Sequence, residues 1–164
     1  TFDSKGLDRA VYALGLLREE GFLKNLIWYI IGDGPDREKL EALIIEKGLE
    51  KNIILLGKQL NPYAIEKDMD VFLLPSRFEG KPMAVTEAMM LGVVPFVCEY
   101  SSAKEQIENG VDGIIIDNND DALYSALKDL LNGKYNLQEM KENLLKRDYS
   151  NDQEIEKIYQ LIEE

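Results

Sequence analysis

Histidine is absent from these 164 residues. With it go the commonest general base, the usual nucleophilic triads and most zinc sites. Cysteine occurs once, at Cys98, so the chain has no disulfide framework of its own and a reducing compartment is expected. Its setting, Pro95-Phe96-Val97-Cys98, suits a buried, inert thiol better than a nucleophile. No apolar run approaches the roughly 18 residues of a membrane span, and the opening residues lack the charged-then-apolar pattern of a signal segment. A soluble chain is therefore expected. Positive charge is also scarce: 19 Lys and Arg stand against 31 Asp and Glu, for a formal net charge of −12. That balance argues against nucleic acid or an anionic membrane surface as the main partner.

What is present is an ordinary globular mixture, 45% hydrophobic and 30% charged, with length for one domain. The charge is unevenly spread. Residues 1–82 hold 12 basic and 14 acidic side chains, whereas residues 83–164 hold 7 and 17. The first half can tolerate an anionic small ligand. The late acids read mostly as the solvated faces of helices.

Short apolar runs alternate with helical patterns. Leu7, Ala10, Val11, Leu14 and Leu17 recur at helical spacing, closed by Gly21. Leu26 to Ile31 is a continuous apolar run, the habit of a parallel strand buried on both faces. The cycle of strand, turn and helix recurs at residues 53–56, 71–74, 95–98 and 113–116, with helices over about 36–47, 84–91, 103–108 and 120–132 between and after them. Beyond Gly133 only helices are expected, near 137–146 and 151–164. Five strands separated by helices predict right-handed βαβ crossovers, and hence a Rossmann-like α/β fold: an open parallel sheet with helices on both faces and a C-terminal helical tail. Such sheets bind ligands at the carboxyl ends of their strands, which directs attention to the loops after Ile31, Leu56, Leu74 and Cys98.

The first of these loops, Gly32-Asp33-Gly34-Pro35, is either a tight strand-to-helix turn or a phosphate contact. It lacks the third glycine and the distant acid of a dinucleotide fingerprint. The third is richer: Pro75-Ser76-Arg77-Phe78-Glu79-Gly80-Lys81-Pro82-Met83 runs into a helix that carries Glu87. Carboxylates on either side of a helix N-terminus can accept hydrogen bonds from vicinal sugar hydroxyls, or can simply complement the helix dipole. Arg77 and Lys81 with the helix N–H groups can hold phosphate. Lys5 belongs to the same edge and can meet a diphosphate as a mobile cation.

These residues also form an ordered set. Gly32-Asp33-Gly34-Pro35 with Leu40, Gly48-Leu49, Leu56-Gly57 and Asp70 to Ser76 resemble the donor-binding half of GT-B glycosyltransferases, closest to the group-1 retaining enzymes of glycosyltransferase family 4. Glu79 and Glu87, separated by seven residues and followed by Ala88-Met89 and Gly92-Val93-Val94-Pro95, look like that family's Glu-seven-Glu motif. Glu105, Gly110 and Gly113 fit its next segment, and the resemblance spans about residues 1–132.

The resemblance implies a nucleotide-sugar donor, a UDP-sugar above all, with no metal or other cofactor and retention at the anomeric carbon. It assigns Lys5 to the donor diphosphate, Glu87 to the ribose hydroxyls and Glu79 to the sugar hydroxyls, as a ligand in front-face transfer rather than a covalent nucleophile. Backbone amides around Gly80, Lys81 and Met83 would surround the sugar and distal phosphate. Gly57, Lys58 and Gln59 would border the base, and Gly32 and Gly34 would leave room for the donor. Pro82 removes one N–H that the family can use, and Ser101-Ser102 stands where it often has Gly-Gly.

The family's upstream arginine has no counterpart, and Thr1 leads straight into a helical pattern. An N-terminally truncated donor domain over 1–164 is therefore expected, its acceptor-binding Rossmann domain absent. The acceptor would be a glycan or lipid-linked sugar in cell-surface polysaccharide or glycolipid synthesis. Location would be cytoplasmic, with any membrane attachment through the absent domain. Alternatives are an epimerase-like GT-B enzyme and a non-catalytic nucleotide-binding or regulatory α/β module. Asp33 alone does not supply the acidic pair and acceptor Asp of a receiver.

Overall fold

The computed structural model describes residues 2–149. Its elements run α1 (Phe2–Lys5), α2 (Leu7–Glu19), β1 (Trp28–Ile31), α3 (Arg37–Glu46), β2 (Ile53–Gly57), α4 (Tyr63–Glu66), β3 (Val71–Leu74), α5 (Met83–Met90), β4 (Val94–Cys98), α6 (Ala103–Gln106), β5 (Ile114–Ile116), α7 (Asp120–Leu131) and α8 (Leu137–Lys146). All five expected strands form, each followed by a helix, and every strand pairing is parallel. The helix expected over 151–164 lies outside the described residues.

The parallel α/β architecture expected from the sequence is present, with its strands shared between two hydrogen-bonded groups. Hydrogen bonding forms two sheets, β1-β2 and β3-β4-β5. Val71 pairs with Val94 and Phe96 with Ile114, whereas Trp28 pairs with Ile53. No ladder joins β1 to β3. The apolar run of each strand predicts burial on both faces but carries nothing about which neighbour accepts its bonds.

Strand β4 is central, and all five of its residues are buried. It runs between two helical layers, α2 packed with α3 and α7, and α5 packed with α8. Phe96 is fully buried and meets the ring of Tyr135 edge-on at 5.1 Å between centroids. Burying such a side chain contributes about 2–3 kcal/mol. Cys98 is buried beside it, and desolvation pushes its thiol pKa upward, as suits an inert core residue. Helix α7 starts where Asn119 accepts from the Ala122 N–H at 2.8 Å. Leu123, Ala126 and Leu127 then face the core. Among the described residues most late acids are solvent-facing as predicted, but Asp112 is buried, bound by Arg147 at 2.6 Å and by the Glu108 N–H at 2.8 Å.

Candidate functional site

The site is built where α1, the loop after β3 and the start of α5 meet. Gly6 breaks the path between α1 and α2 with φ +63°, and a methyl group there would come within 1.9 Å of the Pro75 carbonyl oxygen. Only glycine allows this approach. The Arg77 N–H donates to the Ser4 carbonyl at 2.9 Å, so α1 is fastened to the β3 loop. The consequence is an ion pair across 74 residues: Lys5 Nζ donates to Glu79 Oε1 at 2.6 Å. Lys5 is half exposed and Glu79 nearly buried. Ser76 Oγ donates to the same oxygen at 2.8 Å, which leaves Oε2 of Glu79 available to a ligand.

Arg77 takes a different direction. Its guanidinium forms two 2.8 Å bonds with Asp8 on α2. Burial is the largest single influence and works against the charge on Asp8, but the Arg77 hydrogen bonds, the backbone N–H groups of Arg9 and Asp8 and the Arg77 charge together outweigh it and hold the carboxyl below its usual range. The pair ties the loop to α2 and commits the guanidinium to a structural contact.

Helix α5 begins at Met83 behind Pro82, with no side chain capping its N-terminus. Its first N–H groups are thereby open to an anion. Gly80 and Lys81 are exposed just ahead of it, and Ser102 Oγ donates to the Gly80 carbonyl at 2.7 Å. Ser102 thus holds the loop. Beneath it, Gln106 donates to Thr86 Oγ1 at 3.0 Å and accepts from Tyr100 at 2.8 Å. Burial, with the Glu79 charge adding to it, pushes the Tyr100 hydroxyl up to about 12. Glu105 is exposed on α6.

Glu87 lies one turn into α5, half-buried and hydrogen-bonded by the Tyr63 hydroxyl of α4. Glu66, on the same short helix, is half-buried nearby. Desolvation and then the Glu87 charge push its carboxyl up to about 7. The Glu-seven-Glu pair is therefore split in character: Glu79 is neutralised by Lys5, and Glu87 sits in a local excess of negative charge.

On the other side, Gly32 has φ +120° with open space where a side chain would lie, and the space beside Gly34 is open too. The Gly32 N–H donates to the Gly57 carbonyl at 2.8 Å, bringing the ends of β1 and β2 together. Lys58 is exposed just beyond. A cavity of about 460 Å³ lies between the ends of β1 and β3, lined among others by Lys5, Ile30, Gly32, Gly34, Leu73 and Pro75, and it does not reach Glu79 or Glu87. Lys5, Glu79, Gly80, Lys81, Met83 and Glu87 thus cluster about the β3–α5 loop, while Gly32, Gly34, Gly57 and Lys58 cluster at the ends of β1 and β2.

Several contributors carry no signal of spacing. Asn118 donates its amide N–H groups to the carbonyls of Ser76, Arg77 and Glu99 at 3.3, 3.1 and 2.9 Å, and accepts from the buried Arg9 at 2.7 Å. It binds the site loop to β4, α2 and the start of α7. Ser76, Asp8, Tyr63 and Glu66 belong with it, since only the folded strand order brings them to the site. Among the described residues, no group of three or more acidic or thiol side chains is arranged to hold a metal ion, and no helix is long and apolar enough to cross a membrane.

Comparison with known proteins agrees with this geometry. An Escherichia coli protein named UDP-Gal:alpha-D-GlcNAc-diphosphoundecaprenol alpha-1,3-galactosyltransferase is 32% identical over 111 residues, 66% of this chain and 29% of that protein. A Salmonella typhimurium lipopolysaccharide 1,6-galactosyltransferase is 37% identical over 90 residues, 52% of this chain and 25% of that one. The solved apo structure of the lipopolysaccharide outer core galactosyltransferase WaaB superposes with a TM-score of 0.75 at 23% identity, over 99% of this chain and 46% of that one, so the two share a fold. The chain thus spans under a third of these curated relatives and about half of the solved one. The family model described as glycosyl transferases group 1 matches residues 2–147, and this chain belongs to that family.

Proposed function

We propose that the chain is the donor-binding half of a retaining glycosyltransferase, which moves a sugar from a UDP-sugar to a glycan or lipid-linked acceptor in cell-surface polysaccharide or glycolipid synthesis. The observation that carries this reading is the Lys5–Glu79 pair at the open N-terminus of α5, with Glu87 one turn further along. A nucleotide sugar presents vicinal hydroxyls at both ends and a diphosphate between them. Two carboxylates flanking a cation and a helix N-terminus match that order of charge.

In this reading Glu87 accepts both ribose hydroxyls, displacing or sharing the Tyr63 hydroxyl. Glu79 turns its unbonded oxygen to the donor sugar. Lys5 and the amides at Gly80, Lys81 and Met83 face the phosphates. As the sugar–phosphate bond breaks, negative charge grows on the departing diphosphate, and the Lys5 ammonium and the α5 N–H groups stabilise it without needing a metal ion. Gly57 and Lys58 border the base, and Gly32 and Gly34 leave the space a donor requires. Arg77 acts by holding the loop through Asp8.

The acceptor binds a separate Rossmann domain across an interdomain cleft, and we place the protein in the cytoplasm with any membrane attachment through that domain. The names of the two curated relatives, one a UDP-Gal transferase and the other acting on lipopolysaccharide, support this choice of donor and acceptor class. The test is calorimetry with UDP and GDP on this chain within the polypeptide its gene encodes. UDP is expected to bind, and Glu87→Ala to weaken it about 100-fold, the cost of losing hydrogen bonds to a charged acceptor. Equal binding by both proteins, or no binding of either nucleotide, overturns the assignment.

A further inference from the structure

The Lys5–Glu79 pair spans 74 residues, and one buried side chain lies behind both of its ends. Arg9, on the buried face of α2, is 4% exposed. Its stem passes beneath the junction that carries Lys5: a methyl group on Gly6 would come within 3.0 Å of Arg9 Cδ as well as striking Pro75. Its head reaches the loop that carries Glu79. Nη1 donates to Asn118 Oδ1 at 2.7 Å, and Asn118 Nδ2 donates in turn to the carbonyls of Ser76, Arg77 and Glu99. Ser76 is also the residue whose hydroxyl donates to Glu79.

The guanidinium is costly where it sits. Nε lies 3.1 Å from Asp120 Oδ1, an ion pair with an exposed carboxylate, yet among the described residues neither Nε nor Nη2 has a hydrogen-bond partner. An apolar side chain of like volume is often neutral or better at such a position. What it could not supply is a directed donor. A guanidinium donates and never accepts, whereas an amide has an oxygen on one side and an NH2 group on the other. Facing Nη1 with its oxygen, Asn118 offers its N–H groups to the three carbonyls. Turned over, it would set an N–H against a cation and an oxygen against those carbonyls, and every one of these bonds would go. Arg9 thereby selects one of the two orientations of an exposed amide.

We propose that Arg9 is a positioning residue: through the orientation of Asn118 it holds the β3–α5 loop where Glu79 Oε1 meets Lys5. Its kinetic consequence rests on the donor-binding reading above, and its geometry does not. Glu87 lies outside this chain of contacts, since α5 carries it and Tyr63 of α4 supports it. Loss of the Arg9 donor should therefore disturb the sugar and leaving-group end of the site and spare the ribose end.

Arg9→Met and Asn118→Ala test this in the polypeptide its gene encodes. Asn118→Ala, at an exposed position, carries the test where Arg9→Met does not fold. Without nucleotide, the carboxyl carbon resonance of Glu79 is expected to shift in both variants, and the side-chain amide resonances of Asn118 to shift in Arg9→Met. Those of the Glu87 carboxyl and the Tyr63 ring should stay in place. With UDP-galactose as the donor probe and water as acceptor, each variant is expected to release UDP about 100-fold more slowly, the cost of a misplacement of about 1 Å. The donor KM should change by less than about 3-fold. The double variant should be no slower than either single one, since both act through one amide. Arg9→Lys, which keeps a donor, should recover most of the rate. A Glu79 resonance that stays put in both variants overturns the inference whatever the kinetics show, as do additive losses in the double variant or losses that appear in KM alone. An unaltered protein that neither binds UDP nor releases it counts against the donor-binding reading instead, and the Glu79 resonance still decides the role of Arg9.

Discussion

Glu66 and Glu87 place two carboxyls in one half-buried corner; the Tyr63 hydroxyl supports Glu87, and Glu66 gives way. Glu66 is pushed up to about 7 by burial first and by Glu87 second. Its ordinary value is 4.5, so between that pH and about 7 the folded protein binds more protons than the unfolded chain. Stability attributable to this group is therefore fully present below the unfolded value. It is lost as pH rises through the window and stays lost above it. Glu66→Gln removes the penalty. At pH 8 the variant is expected to be more stable by about 1 kcal/mol, once screening of a partly exposed carboxyl is allowed for. At pH 3, below both values, the difference should vanish. Denaturant midpoints of both proteins at the two pH values check this, and a difference that does not change with pH excludes it.

Among the elements, the short helix α1 has the most exacting junction. Its cation reaches Glu79 only because Gly6 lets the backbone lie against Pro75. Gly6→Ala meets both a left-handed φ and a collision with a backbone oxygen that no rotamer change relieves. A cost of about 3 kcal/mol is expected. Thermal unfolding should show the loss, and chemical shifts at Lys5 and Glu79 should move in whatever fraction still folds. Substitution at Gly21, where the space around a new side chain is open, is the control for backbone strain alone.

Such junctions mark where the sequence stops being legible. The strands could be read because a parallel strand covered on both faces must be apolar along its length, as Val71 to Leu74 and Val94 to Cys98 are. The β3–α5 loop could be read because Glu79 and Glu87 stand at a fixed spacing around a helix start. Neither signal reports contacts between distant segments. Arg77 reads as a phosphate ligand from its place in that loop, yet its partner Asp8 lies 69 residues away and claims it. Glu66 and Asn118 belong to the site solely through the folded order of strands. The interruption between β1 and β3 likewise left no mark on two apolar runs that look alike.

For the molecule as a whole, charge and architecture divide the same way. Among the described residues, six of the late acids lie on α6, α7 and α8, while Lys5, Lys58 and Lys81 stand about the loops at the strand ends. A site so composed can grip an anionic donor, but the proposed reaction also needs an acceptor hydroxyl held against the sugar. Holding two reactants together contributes as much as about 7–11 kcal/mol to such a step, and the chain described here supplies contacts for one of them. The 164-residue chain alone is thus expected to yield no transfer product even where it binds UDP. In the polypeptide its gene encodes, the two residues should separate kinetically. Glu87 touches ribose hydroxyls whose character does not change as the sugar leaves, so Glu87→Ala should raise KM for the donor about 100-fold with little change in kcat. Lys5 faces charge that develops on the leaving diphosphate, so Lys5→Ala should lower kcat about 1000-fold with a smaller change in KM. Steady-state rates with donor and acceptor varied in turn decide it: if both variants act on KM alone, Lys5 is a binding residue, and leaving-group stabilisation must come from the amides of α5.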